Sequence, residues 1–363
     1  MKRLLCIVSS MDRGGAETFL MKIYRCLDRT KYQMDFCVSK SKQGFYDEEI
    51  KAMGGKIFVV PQKSKNPFKS FFAIKNIVKE NGYVSVLRTS QQSLATLDLL
   101  AAKCGGAKKL IYRSSNANIT GGVIKRVLNR IFSFLPKIVP NVKVAPSTEA
   151  AEFVFGKNSV KKGKVTILPN GLDYDKFKMD FAIRKKIRND IGMDNKIIFG
   201  HVGRFNKQKN HDFVIEIFKE ISKRIENAKL LLIGEGELET EIKEKIRDLK
   251  LAESVVVLEP QANINEYLMA FDVMIFPSFF EGMPNVIIEA QATGLRCVLS
   301  DKITREAEIT KLLTYVSLNE NANKWANILL SQVDYVRESH ENEFIEKGYI
   351  INKAIDLYTE KLF

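Results

Sequence analysis

Short apolar runs alternate with amphipathic stretches along the whole chain, and this alternation predicts its elements. Residues 4–9 read as a strand and residues 16–27 as a helix behind a pair of glycines. Residues 34–38, 56–60 and 84–88 read as further strands and 110–112 and 142–145 as short ones, with helical patterns at 67–80 and 93–104 between them. The second half repeats the scheme, with strands at 196–203, 229–234, 255–258 and 273–277 and helices at 211–225, 237–249 and 285–293. Strands alternating with helices of this length make parallel sheets covered on both faces. The scheme runs twice in 363 residues, so the expected fold class is α/β with two doubly wound domains. Pro169, Asn170 and Gly171 form a turn-making cluster at the boundary. Residues 1–170 are then one domain and 171–341 the second. Residues 342–363 form a C-terminal helix expected to pack back toward the first domain.

Composition adds little to this picture except where charge is placed. The chain is 45% hydrophobic and 28% charged, an ordinary globular balance. Its five cysteines have no metal-binding or disulfide spacing, which points to a reducing, cytoplasmic setting. The basic, apolar start at Lys2-Arg3-Leu4-Leu5 reads as a buried first strand, because Asp12 and Arg13 interrupt it too early for a signal peptide. No run approaches the roughly 20 apolar residues of a membrane-spanning helix. The net charge of +14 is uneven: residues 1–175 hold 30 Lys and Arg against 13 Asp and Glu, and the remainder holds 27 against 30. A basic first half suits a polyanionic neighbour. Two stretches in it, 63–79 with Phe68, Phe71 and Phe72 and 125–137 with Phe132 and Phe134, combine lysines or arginines with large apolar residues. Either suits an anionic membrane face, or is a helix burying its apolar side.

Three segments carry candidate chemistry. In the first, Pro277 ends a strand, a turn holds Glu281, Gly282 and Met283, and a helix opens near Pro284 and Asn285. Amides at that helix start suit phosphate or sugar oxygens. Glu281 in the loop and Glu289 more than a turn into the helix are spaced to bracket an extended polyol. In the second, Gly203 ends a strand and Arg204 and Lys209 precede the next helix, a pair of cations fit for a diphosphate. In a sugar transfer, negative charge builds on the departing diphosphate, and preplaced cations stabilise it. The third, Gly14-Gly15 after the first strand, lets backbone approach a phosphate closely but is not a dinucleotide fingerprint.

Together with Leu232-Ile233-Gly234-Glu235-Gly236 and Pro169-Asn170-Gly171-Leu172-Asp173, these segments resemble the family 4 retaining glycosyltransferases of the GT-B fold, in which two Rossmann-like domains face a central cleft. The likeness is greatest to bacterial enzymes of capsular and exopolysaccharide synthesis. The resemblance implies that Arg204 and Lys209, beside Gly203, hold the donor diphosphate and that Glu289 binds the ribose. It implies that Glu281 and the backbone of Gly282, Met283, Pro284 and Asn285 meet the transferred sugar, that Gly15 faces the donor phosphates, and that residues 258–261 lie beside the base. Glu281, Arg204 and Lys209 would be the catalytic set. The donor would be a nucleoside-diphosphate sugar, with a UDP-sugar favoured, and the acceptor a glycan or a polyprenyl-diphosphate-linked sugar. Configuration would be retained, with no cofactor and no metal. Relatives often carry a histidine in the first domain; here the equivalent stretch holds Arg113, Ser115 and Asn116, and all three histidines fall in the second half. Those three residues are therefore the acceptor-side candidates.

Asp173-Tyr174-Asp175 spells a metal-binding pattern of a different glycosyltransferase fold, but two carboxylates alone are a poor metal site. Rival readings are a nucleotide-sugar epimerase or phosphorylase of the same architecture, or a basic module that binds membrane or nucleic acid without transferase activity. No nucleic-acid-binding motif is present, so no such partner is expected.

Overall fold

The computed structural model describes residues 1–12, 14–40, 42–115 and 123–363. The chain forms two compact units, Met1–Leu172 with Gly348–Phe363, and Asp173–Lys347.

The first unit is built on seven parallel strands: β1 (Lys2–Ile7), β2 (Tyr32–Val38), β3 (Ile57–Val59), β4 (Ser85–Thr89), β5 (Lys109–Arg113), β6 (Val142–Ala145) and β7 (Thr166–Ile167). Their order is β3-β2-β1-β4-β5-β6-β7. Neighbouring side chains on a strand enter opposite cores. Leu4, Cys6 and Phe36 lie in one, and Leu5, Ile7 and Cys37 in the other. Burial on both faces is why these strands read as unbroken apolar runs.

The second unit repeats the plan with β8 (Ile197–Val202), β9 (Ala228–Ile233), β10 (Val255–Leu258), β11 (Val273–Phe276), β12 (Cys297–Ser300) and β13 (Leu313–Val316), in the order β10-β9-β8-β11-β12-β13. Here too Phe199, Leu230 and Ile275 pack on one face and Ile198, Leu231 and Met274 on the other. In both sheets the strand order reverses beside the first strand, between β1 and β4 and between β8 and β11. Ligands in open parallel sheets bind at such a switch point, beyond the carboxyl ends of the strands.

Several expected elements differ in detail. The strand placed at 4–9 is shifted to Lys2–Ile7, and the helix placed at 93–104 opens as a 3-10 turn at Ser93–Thr96 before the α-helix Leu97–Cys104. The single helix expected over 342–363 is two, Glu341–Glu346 and Ile351–Leu362. Gly348 (φ 72°) breaks it, in the left-handed region that glycine favours. Leu172 N–H then donates to the Tyr349 carbonyl at 2.7 Å. The last helix lies in the first unit, where Tyr358 meets Phe19 at 6.0 Å between ring centroids and its hydroxyl donates to the Pro169 carbonyl. The basic stretch at 125–137 forms the helices Val123–Ile131 and Leu135–Ile138. No described helix is long and apolar enough to cross a membrane.

Candidate functional site

In the second unit the site residues sit on the loops that follow β8 and β11, the two strands flanking the switch point. Beyond β8, Gly203 lets the chain pass close to its neighbours. A Cβ there would stand 2.9 Å from Cε of Lys209, and a Cβ on Gly234 would strike the Gly203 carbonyl oxygen. Arg204 is exposed, whereas Phe205 is fully buried and anchors the loop. Asn206 then caps a short 3-10 turn, Lys207–Lys209, by accepting from the Lys209 N–H at 3.2 Å. Asn210 turns through the left-handed region (φ 58°) into the helix His211–Ser222.

This turn aims Lys209 at the second loop. Its Nζ donates to Oε1 of Glu281 at 2.6 Å and lies 4.6 Å from the centre of the Phe276 ring, the last residue of β11. The two side chains are mostly covered, at 15% and 11% exposure, so the pair is only weakly screened. Two further contacts tie the loops together. The Phe279 N–H donates to the Gln208 carbonyl and the Gln208 side-chain amide to the Phe280 carbonyl, each at 2.9 Å. Asn210 adds a bond to the Pro277 carbonyl at 3.2 Å. Gln208 and Asn210 were not singled out in the sequence; their place between and beside the two cations was the available signal.

Pro284 stands just before the helix Asn285–Ala292 as its cap residue, and the Ile287 N–H donates to its carbonyl at 3.0 Å. Gly282 and Met283 lie in the turn between Glu281 and Pro284, and Glu289 is the fifth residue of the helix, half-buried. Glu281, Lys209 and Gly203 are therefore assembled on one edge of one sheet, with Arg204 on the same loop as Lys209.

Behind this edge lies a file of rings. His201 stacks on Phe276 at 5.8 Å, His211 meets His201 edge-on at 4.7 Å, and Phe205 meets His211 at 4.8 Å. The Nδ1–H of His201 donates to the Ile275 carbonyl at 2.9 Å, which leaves its Nε2 buried without a partner among the described residues. Both ring nitrogens of His211 are buried and unpartnered as well. Burial, and then the Lys209 charge, lower the His211 pKa to about 4. Burial, followed by the neighbouring His211, holds His201 well below the ordinary histidine value. Both rings are neutral at pH 7.

In the first unit the glycines after β1 open the helix Gly15–Cys26, with Gly14 as its extended cap residue. A Cβ on Gly15 would meet nothing within 4 Å, so packing does not demand glycine there. Arg113, expected on the acceptor side, is packed into the interior of the first unit. It ends β5 at 1% exposure, its guanidinium stacked 3.6 Å from the centre of the Phe19 ring and donating to Asn170 Oδ1 at 2.6 Å. Burial lowers its pKa to about 10. The guanidinium is a filling of the core with no free face for an acceptor. Ser115 is half-buried and its hydroxyl donates to Gln91 at 2.8 Å. Asn116 lies outside the described residues, as does Arg13. Asp173 pairs with Lys176 at 3.0 Å on the surface.

The chain is similar to known proteins in sequence and in fold. The model of the family "Glycosyl transferases group 1" matches residues 196–339, the part of the second unit that holds both loops. A Bacillus subtilis protein named as a glycosyltransferase, EpsF, is 34% identical over 334 residues, 90% of this chain and 87% of its own. The UDP-Gal:alpha-D-GlcNAc-diphosphoundecaprenol alpha-1,3-galactosyltransferase of Escherichia coli is 27% identical over 305 residues, 79% of this chain and 76% of its own. Among solved structures, Anabaena Alr3699/HepE in complex with UDP superposes with a TM-score of 0.71 at 17% identity, covering 100% of this chain and 96% of the other. That likeness shows the fold, the GT-B pair of Rossmann-like domains. With more than 30% identity to a glycosyltransferase along nearly all of its length, the chain belongs to the group 1 glycosyltransferases.

Proposed function

We propose that the chain transfers a hexose or N-acetylhexosamine from a nucleoside-diphosphate sugar, with UDP as the carrier. The acceptor is a glycan or a polyprenyl-diphosphate-linked sugar, and the product belongs to a surface polysaccharide. The Lys209–Glu281 contact at 2.6 Å carries this reading. It puts a cation for the departing diphosphate beside a carboxylate for sugar hydroxyls, on loops cross-tied by Gln208. Donor binding replaces their mutual bond: Lys209, with Arg204 beside it, takes the diphosphate oxygens and Glu281 accepts from hydroxyls of the sugar. As the glycosidic bond breaks, charge grows on the terminal phosphate and the fixed ammonium stabilises it without reorganising. The helix start at Asn285 adds the positive end of a dipole, and Glu289 further along it accepts from the ribose diol. With two cations placed at the leaving group, transfer proceeds without a divalent metal, and with retention of configuration. The UDP bound by the Anabaena neighbour and the diphosphoundecaprenol acceptor named for the Escherichia coli relative favour these choices of donor and acceptor.

The test is thermal unfolding of the full chain with UDP, GDP, ADP and CMP, without added metal and with a chelator. UDP at about 100 times its dissociation constant adds roughly 2.7 kcal/mol of stability. A larger rise with another nucleotide, or a rise only with metal, would reverse the corresponding part of the reading.

We further infer that the enzyme works at the cytoplasmic face of an anionic membrane, on the basic first unit. Two surfaces support this. Phe68 and Phe72 of the helix Pro67–Asn81 are 77% and 54% exposed, and Val127, Ile131, Phe134 and Ile138 are 50%, 59%, 49% and 69% exposed. Helices that present apolar residues among lysines to solvent suit an anionic lipid surface. Flotation with vesicles containing anionic lipid should lift the protein at low salt and release it at high salt; protein that stays at the bottom refutes the docking.

A further inference from the structure

We propose that a pocket beside Phe279 is a second saccharide subsite, taking one neutral hexose ring of a glycan. It lies wholly within the second unit, in the angle between the Lys209 loop and the helix Glu239–Asp248, and has a volume of about 250 Å³. Pockets for drug-sized ligands run to roughly 300–1,000 Å³, so this one suits a single ring.

Its walls select the ligand by charge. Asp212 and Glu241 line it, and Asp212 is itself paired with Lys245 at 3.3 Å, so the wall offers no net positive charge to a phosphate or a nucleotide. Lys207 and the positive end of the helix His211–Ser222 oppose a cation. A neutral ligand with many hydroxyls answers both constraints. Phe279 supplies an apolar face, half-exposed at 50%, against which the C–H face of a sugar ring packs. Asn206 spends its side-chain oxygen on the Lys209 N–H and keeps an NH₂ to donate; Asn210 spends its NH₂ on the Pro277 carbonyl and keeps an oxygen to accept. His211, 2% exposed, forms part of the same wall with both ring nitrogens unpartnered. Both nitrogens are shielded by the His201 and Phe205 rings, so His211 offers the pocket ring surface rather than a hydrogen bond.

The pocket shares its frame with the donor site. Asn206 caps the turn that carries Lys209, and Phe279, whose N–H is held by Gln208, stands two residues before Glu281. A sugar seated here therefore steadies both loops. The subsite adds to the donor reading and does not depend on it.

Methyl-labelled full-length protein separates the two. Leu238 and Ile242 line the pocket, whereas Met283 belongs to the turn after Glu281. With UDP held at saturation, glucose, galactose or N-acetylglucosamine should shift the Leu238 and Ile242 methyl signals. Phe279→Ala should weaken that response by about tenfold, the loss of roughly 1.4 kcal/mol. The shift of the Met283 methyl with UDP should remain in this variant. The subsite is overturned if no sugar moves Leu238 or Ile242 at up to roughly 100 mM, where even about 1.4 kcal/mol of binding would show. It is equally overturned if Phe279→Ala responds like the wild type, or if inorganic phosphate alone moves the same methyls as strongly. A Met283 signal indifferent to UDP would instead count against the donor reading and leave the sugar titration to be judged by itself.

Discussion

Each unit places a basic side chain at the end of a central strand or just beyond it, and the two are used differently. In the first unit Arg113, at the end of β5, is folded into the core against Phe19 and Asn170. Nearby, Arg88 and Lys63 both close on the buried Asp98, at 2.9 and 2.6 Å. In the second unit Lys209 stands on a loop, paired with Glu281, and both keep part of their surface open. Similar sheet plans thus give one unit that draws these strand-end cations into its own packing and one that carries a lysine–glutamate pair on its loops. The difference lies in the segments just beyond the strands. After β8 come Gly203, a capped turn and a left-handed Asn210, a sequence that projects a lysine while fixing its stem. The arginine that closes β5 already has an aromatic ring beneath it.

The sharpest way to break this contrast is to remove the Lys209–Glu281 pair. Lys209→Ala and Glu281→Ala should each lower kcat by about 10²–10³-fold, the loss found when one group that stabilises transition-state charge is deleted. The same variants should stay folded, as judged by circular dichroism and a single unfolding transition. Wild-type turnover in either variant would place the chemistry elsewhere.

Much of the fold was legible because its signal is local. Strands such as β8 to β11 are short apolar runs bounded by glycine, proline or polar residues, and their helices carry a 3.6-residue stripe. β12 and β13 escaped notice, since Cys297–Ser300 and Leu313–Val316 are four residues each and lie among loops that are themselves partly apolar. The broken tail escaped as well: Gly348 is a local stop signal in an otherwise helix-compatible stretch, and the bond from Leu172 to Tyr349 that holds the break joins residues far apart in sequence. Within the site, the glycines, the cations and the two glutamates were visible as motifs. Their joining was not: Lys209 and Glu281 are 72 positions apart, and the bond between them exists only once β8 and β11 lie side by side. The burial of Arg113 was hidden for the same reason. A polar residue in a segment that lines the site in relatives invites a functional reading, and its burial depends on Phe19 and Asn170, which no local pattern connects to it.

A smaller effect probes how much each unit tolerates in its core. Three ring nitrogens of His201 and His211 lack partners beside the very loop that carries Lys209. His211→Phe keeps a ring of similar shape and removes two of them, so stability at pH 7 should rise by about 1 kcal/mol. The pH dependence should change too. The folded His211 pKa, about 4, lies below the ordinary value of 6.5, so between these limits the unfolded chain binds more protons. Wild-type stability therefore falls as pH drops from about 6.5 toward 4, and the variant should lose less over that window. Equal slopes for the two proteins would mean that His211 is solvated or paired in solution.

The smallest effect is expected from Arg113→Met, and it decides whether the first unit's arginine is structural. Two opposed contributions nearly cancel. The guanidinium gains from stacking on Phe19, roughly 2 kcal/mol for a desolvated contact, and from its bond to Asn170. Against this stands the cost of holding a cation in the core with no carboxylate partner, and no partner at Nε, among the described residues; its burial lowers the pKa. Methionine fills similar volume, keeps contact with the ring and carries no charge to desolvate. Stability should therefore stay within about 1 kcal/mol of wild type, as replacing buried charge with an apolar side chain of like size often does. The affinity for UDP should not change, and the KM for acceptor should stay within about twofold, well under 1 kcal/mol of binding. A rise of tenfold or more in that KM with unchanged stability would give Arg113 back an acceptor contact, and would mean that the first unit opens its core when it works.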